Sequence, residues 1–95
     1  MTFSELWNLI QNREVVLTIR LRRDDEEIGP TEPLRGEIRE NPLNHKSYIF
    51  FGDIQYHIWN PPVCFTIEDG SIEHIEREEL LIRVTTTTAI CTIQL

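Results

Sequence analysis

Lysine is almost missing from this chain: Lys46 stands alone against eight arginines. Cysteine is nearly as scarce, with only Cys64 and Cys91 and no CxxC pair. That spacing offers no zinc framework and no redox motif. Each cysteine sits in an apolar alternating run, where a free thiol acts as a small hydrophobe, so core packing is expected for both. No run approaches the roughly 18 apolar residues that a membrane-spanning helix needs. The first residues, Met1-Thr2-Phe3-Ser4-Glu5, carry neither a basic segment nor an apolar one, so a cytoplasmic location is expected. G-x-S-x-G, P-loop and G-x-G-x-x-G signatures are all absent. Histidines 45, 57 and 74 are too far apart in sequence for a local ligand pair, and no metal or other cofactor is expected.

What is present describes a folded chain. Apolar residues make up 40% of the 95, including two Trp, two Tyr and four Phe, enough for one modest core. A single domain over residues 1–95 is expected. Sixteen acidic against nine basic residues give a net charge of −7. A field of that sign repels nucleic acid and anionic lipid.

Periodicity divides the chain into one helix and a series of strands. Phe3, Leu6, Leu9 and Ile10 have helical spacing, with Trp7 beside them. Ser4 reads as the N-cap and Asn12-Arg13 as the end, giving a helix within residues 3–13. The remainder, 15–95, reads as β. In Val15–Arg22, Leu17, Ile19 and Leu21 alternate with Thr18, Arg20 and Arg22. Asp24–Pro33, containing Gly29, Pro30 and Pro33, reads as a long acidic loop.

Leu34–Glu40 alternates again, and Gly36 within it marks a bend or a close backbone approach. Asn41–Lys46 is a loop. Tyr48–Phe51 and Ile54–Trp59 flank Gly52-Asp53, which suits a tight hairpin. Val63–Glu68 and Ser71–Ile75 flank Asp69-Gly70, a second hairpin signal. Glu76–Glu79 reads as a single helical turn. Leu80–Val84 and Ala89–Leu95 lie around the Thr85–Thr88 run, and the strand ending at Leu95 is read as a sheet edge.

One helix followed by six to eight short strands suggests a small bent-strand barrel or a compact sandwich. In element order, and in the strand Leu34-Arg35-Gly36-Glu37-Ile38 with its central glycine, the chain resembles the Sm-type and SH3-type small barrels. That resemblance implies strongly bent strands and a helix before the first of them. The nucleotide-contacting loops of Sm-type proteins have no counterpart here.

Three constellations carry the functional reading. If Val15–Arg22 pairs with Leu34–Arg39, then Arg20, Arg22, Arg35 and Arg39 share one outer face. Such a cluster suits a carboxylate, a phosphate or an acidic partner segment. The competing outcome is neutralisation by Glu37 and by the neighbouring Asp24-Asp25-Glu26-Glu27. Those four carboxylates, and a second group that includes Glu73 and Glu76, form acidic patches able to face a basic protein surface. Trp59, before Asn60-Pro61-Pro62, stands at a loop edge as a candidate interface anchor. Tyr48, Phe50, Phe51 and Tyr56 read mostly as core.

The expectation is therefore a non-enzymatic protein-interaction module, a small acidic regulator, adaptor or inhibitor. Its partner would be another protein, and a homodimer through an edge strand is plausible. A small barrel binding RNA or another anionic ligand through the arginine face is the alternative. A hydrolase assembled from Cys64, His57 and Asp53 is a second one.

Overall fold

A computed structural model describes residues 1–52 and 64–95, and the protein is mainly β with one helix at the N-terminal side. Helix α1 spans Phe3–Ile10. Its cap is Thr2 and not Ser4: the Thr2 hydroxyl accepts from the Glu5 amide at 3.2 Å, and the Glu5 carboxylate accepts from the Thr2 amide at 3.1 Å. This reciprocal pair satisfies two N-terminal donors and sets the first turn. The helix ends two residues earlier than Asn12, which adopts φ 62 and turns the chain away. Phe3, Leu6 and Ile10 are buried, with Trp7 and Leu9 packed at the margin of the core.

The strands are β1 (Glu14–Leu21), β2 (Glu27–Ile28), β3 (Leu34–Glu40), β4 (Ser47–Gly52), β5 (Cys64–Glu68), β6 (Ile72–Glu78), β7 (Leu81–Thr86) and β8 (Ala89–Gln94). They form one antiparallel sheet in the order β5-β4-β3-β1-β8-β7-β6, with β2 paired to β1 off this path. Alternation holds as expected in β1, where Val15, Leu17 and Ile19 are buried. They meet Ile82, Val84, Cys91 and Ile93 from β7 and β8, and Ile49, Phe51 and Ile67 from β4 and β5, in one core.

Several sequence expectations are corrected by the pairing. Asp24–Pro33 is not a free loop. The chain turns tightly at 22–26, Leu21 N–H donates to Glu26 O at 2.8 Å, and β2 then pairs Ile28 with Ile19. Gly29 takes φ 105, where a Cβ would meet Leu17 O at 2.6 Å, and Thr31 bonds Leu17 through both backbone and hydroxyl. Asp69-Gly70 is not a hairpin turn. It begins a three-residue 3-10 segment, Asp69–Ser71, that links β5 and β6, strands at opposite ends of the order.

Glu76–Glu79 is not helical. Glu76, Arg77 and Glu78 continue β6 against Arg83, Ile82 and Leu81, and Glu79 at φ 54 begins the turn into β7. The strand ending at Leu95 is no edge: β8 lies between β1 and β7. Tyr48–Phe51 pairs with β3 and β5, and the hairpin expected at Gly52-Asp53 falls outside the described residues. Asp53, the strand expected over 54–59 and the prolines beyond it lie outside the described residues. Among the described residues no helix is long and apolar enough to cross a membrane.

Candidate functional site

The four arginines are not gathered into one cluster. β1 meets β3 only at Glu14–Arg35 and Val15–Leu34. The two strands are antiparallel, so beyond that contact β3 leads away from the end of β1 that carries Arg20 and Arg22. Each guanidinium finds a carboxylate instead. Arg20 lies 3.7 Å from Asp25, Arg22 2.8 Å from Glu73, Arg35 4.0 Å from Glu14, and Arg39 2.8 Å from Glu37. Arg22 also donates to Thr86 O at 2.9 Å, which ties the end of β1 to the β7–β8 turn.

The acidic patches are similarly divided. Asp24 accepts from the Glu26 amide at 3.4 Å, Asp25 turns the chain at φ 56, and Glu27 pairs across from Arg20. Glu76 contacts His74 at 2.9 Å and Arg83 at 3.7 Å. Opposite charges in register therefore absorb much of what the sequence presents as runs. Trp59, His57 and Asp53 lie outside the described residues, and so does the side chain of Cys64. Cys91 is a free thiol in the core, and burial pushes it up to about 12. Among the described residues no group of three or more His, Cys, Asp or Glu is placed to hold a metal ion.

A different surface emerges on the outer face of β3, β4 and β5. In β4 the inward side chains are Ile49 and Phe51, so Tyr48 and Phe50 point outward and stay half-buried. Opposite them stand Arg39 and Glu37 on β3, and Glu68 and Thr66 on β5. The Arg39 guanidinium sits 4.0 Å from the centre of the Phe50 ring. Its hydrogen bonds to Glu37, at 2.8 and 3.3 Å, fix it there and hold its pKa above the ordinary value. This stacked cation covers the ring without removing it from reach.

Beside this face the β3–β4 turn projects Leu43, which is 91% exposed. The turn is braced throughout. Asn41 Oδ1 accepts from Leu43 N–H at 2.9 Å, and Asn44 Oδ1 accepts from Lys46 N–H at 3.0 Å. His45 N–H donates to Asn41 O at 2.8 Å with His45 at φ 57, and Asn41 reaches β5 through Glu68 at 3.4 Å. The result is a shallow depression of about 440 Å³ lined by Arg39, Asn41, Pro42, Leu43, Tyr48, Phe50, Thr66 and Glu68.

Of the arginines and acidic residues proposed from the sequence as contact sites, Arg39 alone lines this surface among the described residues. The sequence reading places Tyr48 and Phe50 mostly in the core, yet strict alternation with Ile49 and Phe51 puts them outside. Leu43 was readable too, since Asn41-Pro42 and Asn44 carry the side-chain-to-backbone turn chemistry that fixes a loop in one shape. Comparison with models of known protein families, with curated proteins and with solved structures found no match to this chain.

Proposed function

We propose that this chain is a non-enzymatic protein-interaction module, a small acidic regulator, adaptor or inhibitor that contacts another protein through the outer face of β3–β4–β5. The observation that carries this reading is Leu43, almost fully exposed at the tip of a turn that its own hydrogen bonds hold rigid. Solvent-facing apolar side chains on flexible loops are common, but one on a braced turn is already ordered and loses little entropy on docking. It stands beside a half-buried Tyr and a Phe roofed by Arg, the residue types that anchor interfaces. We read the domain, residues 1–95, as a bent-strand barrel left open between β5 and β6. In support, those end strands are joined by only three residues, while no ladder joins them among the described residues.

The test is affinity capture from native lysate with wild type and the double variant Arg39→Glu/Leu43→Asp, both checked for an unchanged melting temperature. Partners captured by wild type and lost by the variant support the reading. Retention of the same partners overturns it. Binding of single-stranded RNA that falls log-linearly with salt would replace it with the anionic-ligand alternative.

A further inference from the structure

We infer that the outer edge of β6 pairs antiparallel with β6 of a second copy, in the register that sets Ile75 opposite Ile75. The inference does not rest on the Leu43 surface. β6 is the last strand in the order, and among the described residues it pairs with β7 alone. An open edge presents unpaired backbone groups that a second strand can satisfy. Charged side chains normally discourage that, and β6 is rich in them: Glu73, His74, Glu76, Arg77 and Glu78. Here the same charges select one alignment.

With Ile75 at the two-fold centre, Glu73 faces Arg77 of the second copy and His74 faces Glu76, and symmetry repeats each pair. Centring on Glu73 or Glu76 sets glutamate against its own copy, and centring on Arg77 sets arginine against arginine. Centring on His74 leaves Glu73 opposite Ile75 and Glu76 opposite Ile72, with no opposite charges in register. Each group has a partner within the chain that the cross-strand pairs would share or exchange: Arg22 engages Glu73 through Oε2, Glu76 meets His74 at 2.9 Å and Arg83 at 3.7 Å, and Arg77 Nε donates to Glu79 O at 3.1 Å. All four side chains are exposed. Glu73 sits where the register with β7 shifts, between Ile72 and His74, while pairing from His74 to Glu78 is regular.

The experiment is sedimentation equilibrium on wild type, Glu73→Arg, Arg77→Glu and an equimolar mixture of the two variants. Wild type should dimerise as concentration rises. Each variant alone sets like charges in both symmetric pairs and should weaken the dimer by about tenfold or more. The mixture places each introduced arginine against an introduced glutamate and should recover the wild-type association. In wild type, amide protection over residues 73–77 should also rise across the same concentration range, a readout that needs no variant. A wild type that stays monomeric at millimolar concentration, a dimer indifferent to both reversals, or no gain in protection along β6 would each overturn the inference.

Discussion

Replacing Gly36 by alanine tests the packing of the half of the sheet that carries the proposed surface. Gly36 pairs with Phe51 across the β3–β4 ladder, and its φ is not in the left-handed region, so alanine fits the backbone. The penalty comes from space. The added methyl would lie 2.9 Å from Ile49 Cγ2 and 3.0 Å from Phe51 Cε1, against 3.4–4 Å for ordinary contact. Neither neighbour has room to retreat, because both are fully buried.

Overpacking of this kind costs about 1–3 kcal/mol, and removing glycine from a strand returns about 0.5–1 kcal/mol. Taking the middle of each range, the net expectation is a loss of about 1.25 kcal/mol, or a melting temperature lowered by about 5–10 °C in a domain of this size. Urea and thermal unfolding followed by circular dichroism measure it. A double-mutant cycle with Phe51→Leu should show coupling, since the smaller side chain relieves the same contact. A neutral or stabilising Gly36→Ala, or strict additivity with Phe51→Leu, would refute the close approach.

Three further outcomes follow from the same structure. Thr2→Ala should destabilise the protein by about 1 kcal/mol through loss of the capping box, while Ser4→Ala should stay within about 0.5 kcal/mol, both read from urea midpoints. Thr86→Val should cost about 1–3 kcal/mol, because the buried Thr86 hydroxyl donates to Ala89 O at 3.1 Å and accepts from Ala89 N–H at 3.1 Å, and the latter partners are left unpaired in valine. Cys91 ionises at about 8.5 in the unfolded chain but is pushed up to about 12 when folded. Its contribution is therefore complete below about pH 8.5 and declines at about 1.4 kcal/mol per pH unit as pH rises toward the folded value. Denaturant unfolding at neutral and alkaline pH should show wild type losing more stability than Cys91→Ala, and parallel losses would contradict the burial of that thiol.

What the sequence made legible was local. The period-2 alternation of β1, β3, β7 and β8 depends only on which face is buried, and burial follows from residue type. Gly36 announced a close approach, and the aromatic ring and isoleucine that crowd it are what the strand interior required. The capping box was also in plain view, as Thr2 followed three residues later by Glu5. Thr2 immediately precedes Phe3, the first residue of the apolar stripe, so Ser4 already lies inside the helix. The Asp69-Gly70 signal was genuine turn chemistry put to another use: the chain bends there, yet the strands it joins lie at opposite ends of the sheet. A dipeptide sets a local bend and says nothing about which strands then become neighbours.

The arginines show why register decides whether a charged pattern becomes a surface. Arg20, Arg22, Arg35 and Arg39 form a cluster only if β1 and β3 pair along their whole length. Two residues of β2 intervene. By pairing Ile28 with Ile19 they occupy the edge of β1 beside Arg20, and β3 is left with Glu14 and Val15 alone. Arg39 is thereby carried to the far end of β3, where Tyr48 and Phe50 of β4 lie alongside it instead of other arginines. Its new neighbours change the chemistry it can offer. Four clustered guanidiniums would recognise anions, whereas one guanidinium held over a phenyl ring by Glu37 would extend an apolar contact face and lend it a polar rim. The same arginine is thus the point on which the proposed protein partner rests instead of a phosphate, and it stands there because of a two-residue strand inside a segment that composition alone assigns to a loop.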